Sequence, residues 1–238
     1  MSDPASGPPE APIGVLCLQT TFTKIRGHIR NPGTFDFPVI YEVVEGATPE
    51  RVVTQADPRL IEPFCQAAQR LQARGAAAIT SGCGFLVLFQ RELADAVTVP
   101  VFASSLVQVP MVHRMLASHR QVGLLVAKKA ALTPRHLAAI GAESVPVCVA
   151  GLDSSTEFRE VILQGRRDGL DVDRLEQDVL AEVDELARRT GDLGALVIEC
   201  TDLPPFAHAI QQRLGVPVFD ILTLTEMVHA TLSRSPYR

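Results

Sequence analysis

Two cysteines stand where their neighbours would let them do chemistry. Cys83 lies between glycines in Thr80-Ser81-Gly82-Cys83-Gly84, and Cys200 lies in Glu199-Cys200-Thr201-Asp202. Each comes at the end of an apolar run. A thiol at the carboxyl end of a buried strand, just before a helix, meets backbone N–H groups and the positive end of the helix dipole. That setting is expected to lower the thiol pKa and to suit a substrate carboxylate. Gly82 and Gly84 would let the backbone approach a small ligand closely. Two such thiols facing each other across a cleft suit proton transfer at a carbon beside a carboxylate. One takes a proton from one face and the other returns one to the opposite face. Backbone donors can carry the charge of the enediolate, so no metal and no organic cofactor is expected.

Cys17, Cys65 and Cys148 fall inside a strand, a helix and a strand, and read as inert core thiols. Five cysteines without a C-x-x-C pair suggest neither a disulfide framework nor a structural zinc site. Around the active pair, Thr20 and Thr21 end the first strand on the ligand edge, and Ser81 and Thr201 add hydroxyls beside the thiols. Asp202 reads first as a cap for the helix entered through Pro204 and Pro205, and second as a partner that orients a thiol proton. Glu199 is expected to point away from the cleft, because strand side chains alternate. The loop over 26–37 follows the first strand, where loops often cover a site. Its Arg26, Arg30 and Asn31 could meet a carboxylate, and each taken singly reads first as a solvated loop residue.

The elements that position these residues alternate between apolar strands and helices. Strands are expected at 13–19, 37–44, 76–80, 99–104, 122–127, 144–150, 194–199 and 216–221. Helices are expected after Asp57-Pro58 (with a break or late start at Pro63), over 85–96 and 105–118, from Thr133-Pro134, over 172–189 and over 223–232. On the longest of these, Leu175, Val179, Val183 and Leu186 share one face. Short, continuously apolar strands between helices predict parallel sheets covered on both sides. The pattern also repeats. Cys83 precedes the Phe102 of one "VPVF" by 19 residues, and Cys200 precedes the Phe219 of a second "VPVF" by the same 19. The expected fold is therefore α/β. It has two similar domains, each a parallel four- or five-stranded sheet flanked by helices, with the active site in the cleft between them. The expected boundaries are a disordered tail over 1–11, a first domain over 12–104 plus 221–238, and a second over 105–220.

Composition removes several classes of function. The 238 residues carry a formal net charge of −5 without a basic cluster, which argues against a nucleic-acid partner. No apolar run is long enough to span a bilayer, and "MSDPASGPPEAP" lacks the basic start and apolar core of a secretory signal. A cytoplasmic protein acting on a small carboxylate is expected, without a membrane partner. A homo-oligomer is compatible with the sequence.

The two strand–cysteine–helix units, with "NPGTFDFPVIYEVV" and "TSGCGFLVLFQ", resemble the aspartate/glutamate/hydantoin racemase superfamily over essentially the whole chain after the tail. The resemblance implies a cofactor-independent site between two α/β domains, with Cys83 and Cys200 as its two bases. It also implies a C-terminal helix that returns to the first domain. The chain departs from the superfamily's amino-acid racemases in having Gly84-Phe85 where Asn-Thr usually follows the first cysteine. It has Asp202 where a histidine often follows the second Cys-Thr, and Gln19-Thr20-Thr21 where an acidic residue commonly ends the first strand. The expected function is racemisation or epimerisation of a small carboxylate, such as an amino acid. The alternatives are cis-trans isomerisation or decarboxylation of a dicarboxylate at the same site, or ligand binding without turnover.

Overall fold

In a computed structural model the fold is described for residues 11–232 and 234. The expected tail over 1–11 lies, except for residue 11, outside them. Eight strands form two four-stranded sheets, both parallel throughout. The first sheet contains β1 (Ile13–Cys17), β2 (Val39–Val43), β3 (Ala78–Ser81) and β4 (Val101–Phe102) in the order β2-β1-β3-β4. The second contains β5 (Gln121–Val126), β6 (Val147–Gly151), β7 (Leu193–Ile198) and β8 (Val218–Phe219) in the order β6-β5-β7-β8. The same order recurs, so β3 and β7 are equivalent, and so are the residues that follow them. The central strands β1, β3 and β7 are buried at every position, which is why they read as unbroken apolar runs.

Helices cover both sheets. Asp57 caps a short 3-10 turn (Pro58–Leu60) by accepting the Arg59 N–H at 3.1 Å. Helix α1 (Ile61–Ala73) then starts late, with Pro63 in its first turn where a missing N–H costs nothing. The two segments that were expected to be single helices each divide. Gly84–Phe89 and Ser105–Gln108 are 3-10 turns that lead into α2 (Gln90–Asp95) and α3 (Val109–Met115). Helix α4 (Pro134–Ala138) has the Thr133 cap, α5 spans Val172–Thr190, and α6 spans Ala207–Leu214. Leu175, Val179, Val183 and Leu186 of α5 are fully buried, worth at most about 1.5–3 kcal/mol each. Helix α7 (Ile221–Leu232) begins where Asp220 Oδ1 accepts the Thr223 N–H at 2.8 Å. Its Ile221 and Leu224 pack with Ile13, Val15, Ala78 and Phe102 of the first sheet. Among the described residues no helix is long and apolar enough to cross a membrane.

One apolar core joins the two sheets. It runs from Leu16 and Ile79 through Phe85 and Phe89 to Leu125, Leu196 and Ile198. The Ser105 hydroxyl donates to the Ile198 carbonyl at 2.6 Å, and the Gln108 side chain donates to the Asp220 carbonyl at 3.0 Å. These contacts tie the turn that follows β4 to the carboxyl ends of β7 and β8.

Candidate active site

At the end of β3 the chain turns sharply into the Gly84–Phe89 turn, and Ser81 holds the corner. Its Oγ lies 2.8 Å from the Cys83 carbonyl and 2.6 Å from the Ala103 carbonyl, and it receives the Cys83 N–H at 3.3 Å. Cys83 is extended (φ −159°, ψ 116°) and opens the 3-10 turn without a side-chain cap hydrogen bond, while the nearby Phe85 and Leu86 N–H groups favour its thiolate form. Gly84 is needed for space. A Cβ there would overlap the Glu199 carbonyl oxygen and Oε1, and would lie 2.8 Å from Glu199 Cδ.

At the end of β7 the Glu199 N–H still donates to the Leu125 carbonyl at 2.8 Å. The chain then turns at Cys200, whose thiol donates to Asp202 Oδ2 at 3.6 Å. Asp202 Oδ1 meets His28 Nε2 at 2.7 Å. His28 Nδ1 accepts the Arg30 N–H at 2.9 Å, so the ring proton belongs on Nε2 and points at Asp202. Asp202 therefore serves Cys200 and His28. The following turn (Pro204–Phe206) has Leu203 at its start and no side-chain cap, so the capping expectation fails. The expectation for Glu199 fails as well. Strand alternation stops at Ile198, and the Glu199 side chain enters the wall of the cavity.

Both thiols line that cavity, together with Arg30, Thr20, Thr201 and Glu199. Arg30 was read as solvated, yet its Nη1 donates to the Leu18 carbonyl at 2.9 Å and to Thr20 Oγ1 at 2.8 Å. Neither acceptor is charged, so among the described residues this guanidinium has no carboxylate partner. Gly82 also lines the cavity, and its Cα faces the Arg30 stem. Thr201 is buried, and its hydroxyl has no partner among the described residues. Ser81 sits behind the cavity. Thr21 is exposed and bonds Asp168 outside it. Asn31 pins the loop by donating to the Lys24 carbonyl at 2.7 Å, and Arg26 is exposed.

Burial outweighs the helix-start donors in setting the thiol pKa values. Cys83 is 7% exposed and Cys200 4%. Desolvation pushes both thiols well above 9.0, with Glu199 adding to the rise at Cys83 and Asp202 at Cys200. The Phe85 and Leu86 N–H groups pull Cys83 back in part, and the Asp202 N–H does the same for Cys200. Burial thus reverses the expected lowering of the thiol pKa values. Burial also pushes the Glu199 carboxyl up to about 8. From pH 4.5 to about 8 the unfolded chain releases that proton while the folded chain keeps it. Folding stability accordingly falls through this window, by roughly 1.4 kcal/mol per pH unit. Glu199→Gln should flatten the decline, so urea midpoints of parent and variant measured at pH 5, 6.5 and 8 should diverge progressively. Parallel pH profiles would show that Glu199 keeps its ordinary ionisation.

The cavity itself is small, about 30 Å³, room for water rather than for a substrate. Outside it lies a vestibule of about 650 Å³, and Thr20, Pro49, Ile162 and Leu163 stand between the two. Three of these belong to, or directly precede, two π-helical turns, Glu50–Thr54 and Phe158–Leu163, one from each half of the chain.

No family model matches the chain. Among curated proteins, it is 32% identical over 235 residues to dimethylsulfoniopropionate lyase 7 of Emiliania huxleyi (strain CCMP1516), which covers 94% of this chain and 68% of that protein. The chain belongs to the dimethylsulfoniopropionate lyase family. Lyase 3 of the same organism is 31% identical, covering 94% of this chain and 60% of the relative. The dimethylsulfoniopropionate lyase of Durusdinium sp. clade D is 28% identical, covering 89% and 72%. This member of the lyase family thus spans about 60–72% of the length of these relatives.

Its fold recurs in unliganded arylmalonate decarboxylase (TM-score 0.59, 17% identity, 95% of this chain and 94% of that one). It recurs also in an aspartate racemase homologue from Pyrococcus horikoshii OT3 (0.56, 16%, 94% and 99%) and in a glutamate racemase from Bacillus anthracis (0.54, 15%, 94% and 84%). The resemblance drawn from the sequence therefore holds: this lyase-family chain has the two-domain fold of the aspartate/glutamate/hydantoin racemase superfamily.

Proposed function

We propose that this protein is a lyase that needs no cofactor and removes a proton from the carbon beside a small substrate's carboxylate. It then expels a neutral sulfide from the next carbon, as in the cleavage of dimethylsulfoniopropionate. The observation that carries this reading is Cys83, at the start of the Gly84–Phe89 turn, in one cavity with an Arg30 that has no carboxylate partner among the described residues. The cavity widens toward the vestibule to admit the substrate, whose carboxylate lies at Arg30, where the planar fork matches it. A cationic substrate adds positive charge beside the buried thiol, and the Cys83 thiolate becomes accessible. The thiolate takes the α-proton, and charge moves onto the carboxylate at Arg30. The electron pair of the α C–H bond becomes the new double bond. The C–S bond breaks, its electron pair leaves with sulfur, and a neutral sulfide and an unsaturated acid result. Cys200 stays a thiol held by Asp202. The Cys83 proton returns to solvent before the next turnover.

Racemisation keeps a claim through one observation: Cys200 occupies the position equivalent to Cys83 and lines the same cavity. The 32% identity to a lyase, against 16% or less to the racemases cited above, favours elimination. The test gives purified protein dimethylsulfoniopropionate and follows dimethyl sulfide in the headspace. Amino acids in D₂O are scanned in parallel for α-deuterium. Sulfide release is expected. Deuterium exchange without sulfide would transfer the site to racemisation, and neither signal would leave a binding protein.

A further inference from the structure

Glu199 takes no part in that proton transfer, yet its burial is costly. It is 1% exposed. Oε2 accepts the Ala127 N–H at 3.2 Å, and Oε1 is buried without a hydrogen-bond partner among the described residues. An unsatisfied buried carboxyl oxygen is rare and unfavourable, so something outside the chain is expected to complete it. The chain's own groups do not. Cys83, Cys200 and Asp202 face the same region and bring no positive charge, and His28 is turned to Asp202. Arg30, the cation of the cavity, is held at the first sheet by Leu18 and Thr20 and makes no ion pair with Glu199. The cavity thus has a cationic pole from the loop after β1 and an acidic pole from the end of β7. Its remaining walls include Leu18, Val53, Phe85 and Ile162.

We infer that Glu199 reads the positive charge of the substrate, holding a methylated sulfonium or quaternary ammonium group while Arg30 holds the carboxylate at the other end. The inference rests on the carboxylate-binding reading above and adds the residue that holds the cationic end of the substrate. A methylated onium group has no N–H to satisfy, so one carboxylate among apolar walls meets its needs. Elimination removes this charge, because sulfur leaves neutral. Glu199 therefore holds the ground state somewhat more strongly than the transition state, and its loss should raise KM while kcat holds or rises slightly. Binding the cation also drives the proton off Glu199, which otherwise holds it up to about 8.

Two unreactive probes test this by calorimetry: 3-(trimethylammonio)propanoate and its uncharged carbon isostere 4,4-dimethylpentanoate. The parent should bind the cationic probe at least about 30-fold more tightly, releasing nearly one proton at pH 7. That release is read from the dependence of the heat on the buffer's ionisation enthalpy. Glu199→Gln should cut the preference below threefold and abolish the proton release, with binding of the isostere unchanged. With substrate, KM should rise 10- to 100-fold while kcat stays within threefold. A preference that survives in Glu199→Gln overturns the inference while leaving the carboxylate reading intact. Failure of the parent to bind either probe overturns both. Should the variant not fold, the parent's preference for the cation must rise from pH 6.5 to 8.5, a range below the titration of both thiols. A flat preference overturns the assignment.

Discussion

Cys83→Ala should lower kcat for sulfide release by about 10³-fold or more, with KM changed by less than about threefold. Removing Cys83 removes the proposed base, whose thiolate the nearby Phe85 and Leu86 N–H groups favour, and water has no comparable position from which to take the α-proton. Binding survives because Arg30 and the apolar walls are untouched. The cost to folding should be small, near 1 kcal/mol, for deleting one buried sulfur. Cys83→Ser keeps the shape and should be nearly as inactive, since a serine hydroxyl is far harder to ionise than a thiol. Cys200→Ala separates the two mechanisms. In an elimination its thiol touches no bond that changes, and about a 10-fold loss is expected from the altered neighbourhood of Asp202. In a two-base racemase it is half of the machinery, and net inversion collapses as fully as in Cys83→Ala. Steady-state kinetics on the three variants, with circular dichroism to confirm folding, decides between them. Parent-like activity in Cys83→Ala would remove the mechanism proposed here.

The parts of this protein legible in its sequence are those governed by local rules. A parallel strand buried on both faces must be apolar throughout, so "IGVLC", "AITS" and "LGALVI" announce themselves. The matched spacing from Cys83 and Cys200 to their "VPVF" strands places both thiols at equivalent sheet edges. The site's polar partners obey longer-range rules. His28 and Asp202 meet across 174 positions of chain, and no local pattern joins them. Arg30 looked solvated because a loop sequence does not reveal what lies beneath it. Glu199 was misplaced because side-chain alternation applies only while the strand continues, and β7 ends one residue earlier. The thiol pKa values failed for a related reason. The donors at a helix start are visible from neighbouring residues, whereas desolvation depends on everything the fold packs around the sulfur. The two π-helical turns beside the vestibule have no helical period in the sequence to announce them.

Gly84→Ala should be among the most damaging single-methyl additions to this chain, in both stability and turnover. Its Cβ would overlap the Glu199 carbonyl oxygen and Oε1. The carboxyl group could swing aside, but the carbonyl could not. Glu199 is tied through its N–H to Leu125, and it follows directly on the fully buried β7. Relief must come from moving the Gly84–Phe89 turn away from the second sheet. That opens the shared core at Phe85 and displaces Cys83 by a good part of an ångström. Overpacking of this kind costs about 1–3 kcal/mol, with the upper end expected against rigid backbone. Misplacing a base by ~1 Å can cost about 10²-fold in rate. The comparison is Gly169→Ala, where a Cβ meets nothing within 4 Å and the backbone is not in the left-handed region. That variant should unfold within about 0.5 kcal/mol of the parent and keep full activity. Urea unfolding and sulfide release measured on both variants give the contrast. Equal midpoints and equal rates would mean that the end of β7 does not press on the Cys83 turn, and the contact that sets the geometry of the cavity would have to be sought elsewhere.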